Sequence, residues 1–477
     1  MAKQTIFFYD LETSGFKPRE ARILQFAGQR TDLNLKPIGS PTNKLIRISQ
    51  DILPDPDAIL VTGITPQQTI AEGVSEAEFL KYFHQEVATP GTIFAGYNSI
   101  RFDDEFMRFL HYRNFYDAYE WQYTENKGKW DLLDVVRMAR ALRPDGLSWP
   151  FDGDGRPSNR LELLTSVNKI SHRNAHDALA DVQALIALAQ KLKLAQPKLF
   201  EYLFRMRKKA SIETFVNNSD LFLYTSGKYP SEFEKTTIVA PLITHPTRHA
   251  ILVYDLRTDP TPFISLDYSQ LVERWKLKYD DPNRLPVKTM QFNRCPAIAP
   301  IGVLDDNAQK RLKINPEIIQ KNLQLIKNSP TFAKNLVKTI EVLDQAQQAQ
   351  FISNEIDVDA KLYDGFFSNS DKYAMSAVRA TDAKDIANLT PSFDDNRLDA
   401  LLPLYKARNF FSILNNEERK IWDKYRVRKL LSGGENSVAA RFFTRLEELG
   451  NLPDLSTQNR YILEELQLYA QSILPYL

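Results

Sequence analysis

The sequence predicts three consecutive parts: a mixed α/β domain over residues 1–196, a β domain with terminal helices over 197–350, and an all-α domain over 351–477. Two observations carry this division. Apolar strand-like runs interleave with helical periodicity up to Gln196-Pro197, closely spaced strand-like runs follow, and from about residue 352 helical periodicity stands alone. Charge changes at the same places. Residues 1–196 carry 23 Lys+Arg and 25 Asp+Glu, net −2; residues 197–350 carry 22 and 16, net +6; residues 351–477 carry 16 and 19, net −3. A basic middle between acidic flanks marks a surface for a polyanion, although a solvated face without a partner would have the same balance.

The elements follow in order. TIFFYD reads as a buried strand, ARILQFAGQRTD as a second and GTIFAGYN as a third. FDDEFMRFLHYRNF, DLLDVVRMARAL, RLELLTSVNKI and HDALADVQALIALAQKLK have helical spacing. DLFLYTS, TTIVAPLI, HAILVYDL, FISLDY and PVKTMQF are five short strand-like runs, separated by turn-rich pieces such as SGKYPSEF, THPTR and YDDPN. They predict a small barrel or sandwich. NPEIIQKNLQLIKN and FAKNLVKTIEVLDQAQQ then turn helical.

Composition narrows the class. Of the 477 residues, 43% are hydrophobic and 25% charged, which suits a chain with several packed cores. The one cysteine, Cys295, cannot form an intramolecular disulfide, which fits a reducing, cytoplasmic setting. Its neighbourhood, FNRCPAIAP, predicts a small buried hydrophobe. MAKQTIFFYD is too short in apolar residues for a signal peptide, and no apolar run nears the ~20 residues that span a membrane.

Three acidic motifs carry the chemistry. Asp10 and Glu12 end the first strand, and residues two apart on a strand share a face. Two crowded carboxylates call for a cation, and oxygen ligands favour magnesium or manganese over zinc. Asp103 and Asp104 open a helix directly after a strand, where Asn98 or Ser99 is placed to cap. In NAHDALADV, Asn174 is placed as N-cap, His176 falls in the first turn and Asp181 follows five residues later. Each motif alone has an ordinary structural explanation: an acidic strand end, acids at a helix N-terminus, a capping histidine. It is their order that joins them.

That order, D-x-E on the first strand, Asp at a strand-to-helix junction and H-x(4)-D on a last helix, resembles the DEDD exonuclease superfamily in its histidine subtype. A closer resemblance is to bacterial exodeoxyribonuclease I. It rests on GYNSIRFDDEFMRFLHYRNFYDAYEW, KWDLLDVVRMARALRPDG, NAHDALADV, VTGITP, APLITHP, KTMQFNRCP and LYDGFFSNSD. The likeness is dense over the first ~200 residues and continues in patches to about residue 415.

The resemblance implies a ribonuclease-H-like exonuclease domain, an SH3-like β domain and an all-α C-terminal domain. It implies processive 3′-to-5′ degradation of single-stranded DNA to nucleoside 5′-monophosphates, in DNA repair and recombination. Asp10, Glu12, Asp103, His176 and Asp181 are then the catalytic set. Asp10, Glu12 and Asp181 hold Mg2+ (two ions, with Mn2+ as substitute), Asp103 supports the second ion, and His176 is the general base. Two ions ~4 Å apart stabilise both ends of an in-line displacement, and a histidine is neutral near pH 7, as a proton acceptor must be.

The resemblance also marks Arg160 as a substrate contact, expected in the first turn of a helix capped by Asn159. Single-strand binding combines cations with aromatic platforms. The segment HYRNFYDAYEWQY with its flanks offers them, and Arg108, Tyr119, Tyr123 and Arg137 are the favoured contacts, with Glu12, Lys288 and Tyr363 in addition. The expected partners are single-stranded DNA and the acidic C-terminal tail of single-stranded DNA-binding protein, the chain itself acting as a monomer. An RNA exonuclease with the same chemistry and a non-catalytic strand-binding protein are the competing readings. The first differs only in sensing a 2′-hydroxyl, and the second is opposed by the complete catalytic set.

Overall fold

The computed structural model describes residues 3–172, 177–352 and 357–474. TIFFYDLET forms β1 (Thr5–Thr13) and ILQFAGQRT forms β2 (Ile23–Thr31), antiparallel, with Asp10 opposite Ala27 and Glu12 opposite Gln25. Strand alternation sends Tyr9 and Leu11 to one face of β1 and Asp10 and Glu12 to the other. β3 (Thr42–Leu45) pairs with β2, β4 (Thr92–Gly96) runs parallel to β1, and β5 (Gly128–Asp131) completes a sheet of order β3-β2-β1-β4-β5. Beneath the Tyr9 face lies an aromatic core of Phe7, Tyr9, Phe26, Phe79, Phe83, Phe94 and Trp121.

Helices α1 (Pro56–Thr62), α2 (Pro66–Glu72) and α3 (Glu76–Tyr82) connect β3 to β4. Asp55, Thr65 and Ser75 cap them through their side chains, which satisfies backbone N–H groups that the first turn leaves open. α1 stops at Gly63, whose φ of 71° is a left-handed turn that glycine adopts without strain. α4 (Asp103–Arg113) and α5 (Glu120–Tyr123) follow β4; α6 (Leu132–Leu142), α7 (Leu161–Val167) and α8 (Ala178–Ala195) follow β5.

The basic middle opens with α9 (Pro197–Arg205) and α10 (Lys209–Asn217). Next come β6 (Phe222–Thr225), β7 (Thr236–Thr244) and β8 (Ala250–Asp255), then α11 (Thr261–Ile264), α12 (Tyr268–Lys276), β9 (Val287–Gln291) and β10 (Ala297–Ala299). The strands form an antiparallel sheet of order β10-β6-β7-β8-β9. Four of the five expected strands are present, and FISLDY is not one of them. A proline in the first turn of α11 and a capping box between Asp267 and Gln270 at α12 make it helical on both sides, outweighing its β-branched and aromatic residues. The fifth strand is the three-residue AIA of β10. α13 (Asp306–Arg311), α14 (Pro316–Lys327) and α15 (Pro330–Ile352) close this part. Cys295 is buried, as its apolar setting predicts.

The last part holds α16 (Asn369–Ala380), α17 (Asn396–Asn409), α18 (Asn416–Leu431), α19 (Val438–Gly450) and α20 (Thr457–Ile473), with 3-10 turns between them and, among the described residues, no strand. None of the described helices is long and apolar enough to cross a membrane.

The chain forms two compact units. One comprises residues 1–128, 172–183 and 356–477, the other 129–171 and 184–355. In the first, Leu24, Ile48 and Ile59 share a core with Phe442, Ile462, Leu466 and Tyr469. A buried ionic network joins the same segments: Arg22 donates to Asp359 at 2.6 Å, and Arg408 donates to Asp51 and to Asp359, each at 2.7 Å. In the second, Met206, Ile212, Phe222, Val239, Val253 and Ile298 fill the space between α10 and the second sheet.

Candidate active site

β1 presents Asp10 and Glu12 on one face, and α8 presents Asp181 from its first turn. One carboxylate oxygen from each of the three lies within 4.8 Å of the others. Glu12 is only 8% exposed. Burial, then the like charge of Asp181, pushes the Asp10 carboxyl well above the usual range. Burial, then Asp10, Asp181 and Asp177, pushes Glu12 up to about 9. Three carboxylates this close and this dry are ionised together at neutral pH only beside a cation. An all-oxygen donor set fits a hard divalent ion of the magnesium class.

Asp103 is the buried first residue of α4 and is not among the three clustered ligands. Its neighbour Asp104 serves the other side of the sheet. The Tyr9 hydroxyl, which faces the aromatic core, donates to Asp104 Oδ1 at 2.5 Å. Burial first, then the charges of Asp104 and Asp103, raises the Tyr9 phenol well above its ordinary value.

Capping differs from expectation at α4 and α7. The N-cap position of α4 is Phe102, without a side-chain cap. Ser99 acts there through its backbone carbonyl, which accepts from Asp104 N–H at 2.8 Å. α8 begins at Ala178, and Asp177 caps it by accepting from Leu179 N–H at 3.0 Å. Asn174 and His176 lie outside the described residues. α7 has Arg160 itself at its N-cap position rather than in its first turn, and the exposed guanidinium pairs with Glu162 at 2.5 Å. Sequence reasoning missed His172, whose Nε2 hydrogen-bonds Asp181 Oδ1. Only an imidazole nine residues before Asp181 signals it.

The strand-contact candidates fall into both units. In the first, Arg108 is buried beside Glu105 at 2.5 Å and lies over the Tyr119 ring at 5.5 Å. Tyr363 donates its hydroxyl to Glu105, and its ring meets Phe109 edge-on at 5.9 Å. Phe366 stands 87% exposed, 6.0 Å from the Tyr119 ring. Tyr123 is also exposed. Phe115 and Trp121 of the same aromatic stretch belong to cores, and Arg113 is buried against Glu76 at 2.9 Å. Phe366 was missed because the letters of LYDGFFSNSD do not tell which of its two phenylalanines is exposed.

In the second unit, Arg137 pairs with Asp134 at 2.7 Å. The Lys288 ammonium lies over the Tyr229 ring, 3.1 Å from its centre. Burial pushes the Lys288 pKa down to about 7 despite the opposing charge of Asp255.

The family model described as Exonuclease matches residues 7–189, Exonuclease I SH3-like domain matches 206–342, and Exonuclease I C-terminal domain matches 356–473. Exodeoxyribonuclease I of Escherichia coli K12 is 40% identical over 430 residues, 89% of each chain. The E. coli Exonuclease I structure in complex with a dA16 oligonucleotide superposes with a TM-score of 0.93 at 37% identity, covering 99% of this chain and 100% of that one. The SSB/Exonuclease I structure in complex with the inhibitor CFAM gives 0.89 at 37% identity, with the same coverage. The ribonuclease-H-like, SH3-like and helical parts are those of these relatives, and the chain belongs to the exodeoxyribonuclease I family of exonucleases.

Proposed function

We propose that this protein removes nucleotides one at a time, and processively, from the 3′ end of single-stranded DNA, releasing nucleoside 5′-monophosphates in DNA repair. The observation that carries the reading is the trio of Asp10 and Glu12 on one face of β1 and Asp181 from the first turn of α8, unable to ionise together without cations. Asp10, Glu12 and Asp181 hold Mg2+, and Asp103 supports a second ion. The engagement of Asp104 with Tyr9 on the opposite face supports Asp103 in that role. Bound ions supply stabilisation of the charge on the attacking and leaving oxygens. His176 takes the proton of the attacking water.

The strand's path is supported by the exposed rings near α4. Tyr363, Phe366 and Tyr123 offer stacking faces that any base can use, and the half-buried Tyr119 ring lies beside Phe366 with the Arg108 guanidinium over it. Arg160, Arg137 and Lys288 supply charge for phosphates. The relatives bound to an oligonucleotide and to SSB support single-stranded DNA as substrate and the SSB tail as partner. In the second unit, a cavity of about 300 Å³ is walled by Leu142, Leu199, Tyr202 and Val303, with Arg143 and Lys198 beside them. Such a basic, apolar-floored pocket suits an acidic peptide tail.

Asp10→Ala tests the reading. Release of mononucleotides should stop while affinity for a single strand persists, and retained release would exclude the carboxylate mechanism. Matched DNA and RNA strands in the same assay decide between DNA and RNA as substrate.

A further inference from the structure

Arg140 lies in the last turn of α6 and is only 3% exposed. Arginine is seldom buried so fully unless it is paired. Its Nη1 donates to the Pro150 carbonyl at 2.9 Å and to the Ser158 carbonyl at 2.7 Å, and its Nε lies 2.8 Å from Glu234 Oε2. The rings of Trp149 and Phe151 stand 5.7 and 5.0 Å from the guanidinium. Pro150 and Ser158 are the two ends of a hairpin whose residues 151–156 are all exposed. The Ser158 N–H donates to the Pro150 carbonyl at 3.1 Å, and the Asp152 carboxylate ties the tip by accepting from the Asp154 and Arg156 N–H groups. Arg140 anchors the base of this hairpin from beneath.

The hairpin leads into Arg160. The Arg160 N–H donates to Ser158 Oγ at 3.4 Å, and Arg160 takes the N-cap position of α7 without a side-chain cap. The direction in which its exposed side chain leaves is therefore set by the backbone at Ser158. The other side of Arg140 is held from the β6–β7 connection, in the same unit. There Glu234 and Lys235 have φ of 47° and 56°, a left-handed backbone that non-glycine residues keep only where their surroundings hold it. That turn brings Glu234 onto Arg140.

We propose that Arg140 is a positioning residue for strand binding: held by Glu234 of the β part, it fixes the Pro150 and Ser158 carbonyls, and with them the backbone that aims Arg160 at a phosphate. The inference rests on the reading of Arg160 as a phosphate contact. A guanidinium set in direction beforehand loses less freedom when the strand arrives, so affinity depends on the support beneath it. The planar fork of Arg140 suits that support. One nitrogen spans two carbonyls while another faces a carboxylate, and a lysine ammonium on its flexible stem does not reproduce this.

The test follows binding of an oligothymidine in EDTA by fluorescence anisotropy, as salt is raised from about 50 to about 200 mM. Arg160→Ala should weaken binding about tenfold, the value of a charged hydrogen bond. It should also lower the slope of log affinity against log salt by about 0.7, one phosphate of a single strand. Arg140→Lys leaves the charge unchanged, yet should weaken binding about fivefold and lower the slope by at least about half as much. In the Arg160→Ala background it should add less than about twofold, because the two residues act as one. Glu234→Gln, nearly the same in shape, should weaken binding about twofold with Arg160 in place and not without it. With Mg2+, Arg140→Lys should raise KM and keep kcat within about twofold of the wild type. Unchanged binding, weaker binding at an unchanged salt slope, or equal losses with and without Arg160 would overturn the assignment. If Arg140→Lys does not fold, the Glu234→Gln comparison decides by the same criteria. Unchanged binding by Arg160→Ala would instead overturn the reading of Arg160, and the absence of nucleotide release by the wild type would overturn the exonuclease reading.

Discussion

Replacing Asp359 with alanine should lower stability by about 3–5 kcal/mol, the usual cost of leaving buried charge uncompensated. Asp359 is 1% exposed and accepts from Arg22 Nη2 at 2.6 Å, from Arg408 Nη1 and Nη2 at 2.8 and 2.7 Å, and from Lys429 Nζ at 3.3 Å. Asp51 shares Arg408 and Lys429 at 2.7 and 2.6 Å. Without Asp359, the three cations converge on Asp51, with Glu76 at 3.8 Å from Arg22 and Asp357 at 3.5 Å from Lys429 as their remaining carboxylates. Lys429 retains some contact with water, so the lower half of the range is the better estimate.

The pH dependence gives a second readout. Burial alone would raise the Asp359 carboxyl, but Arg408, Lys429 and Arg22 outweigh it and hold the group far below the usual carboxylate range. A carboxyl depressed in the fold contributes its full stability above the unfolded value of about 4, and that contribution is lost as pH falls from there towards the folded value. Urea unfolding at pH 7 and at pH 3.5, for the wild type and Asp359→Ala, measures both effects. The variant should be less stable at pH 7 and should lose less on acidification. A deficit under about 1 kcal/mol at pH 7, or equal acid sensitivity, would refute the reasoning.

Without metal, Glu12 is raised to about 9 by burial and then by its acidic neighbours. The fold then keeps a proton that the unfolded chain gives up above about pH 4.3, so stability declines as pH rises from there towards 9. Mg2+ should relieve this, raising the melting temperature more at pH 8.5 than at pH 6; equal shifts, measured against EDTA, would contradict it. Phe366→Ala should weaken single-strand binding about tenfold, within the ~1–3 kcal/mol of a stacked base, without changing the unfolding midpoint. Fluorescence anisotropy with an oligothymidine checks this, and an unchanged Kd would remove Phe366 from the strand's path.

The long elements were legible in the sequence because burial and period agree in them. TIFFYD is a continuous apolar run that closes on Asp10, with Glu12 two residues on, and it becomes β1 with both acids on one face. The four-residue β3 and β5 and the three-residue β10 were not legible, since runs so short carry no period of their own. FISLDY failed because capping chemistry at Asp267 outweighs β propensity. At the site, residue identities were readable and orientations were not. Asp103 and Asp104 are equivalent as letters and separate only when Tyr9 claims one of them. Phe366 sits in LYDGFFSNSD, yet only the structure shows its ring to be exposed.

The account stands on a metal-dependent carboxylate centre acting at a 3′ end. A time course on 5′-end-labelled single-stranded DNA, with Mg2+ or with EDTA, tests this most directly. With Mg2+ the labelled strand should shorten from its 3′ end as nucleoside 5′-monophosphates are released, and EDTA or Asp181→Asn should stop it. Shortening that survives EDTA, or release of the 5′ label as the first product, would contradict the account.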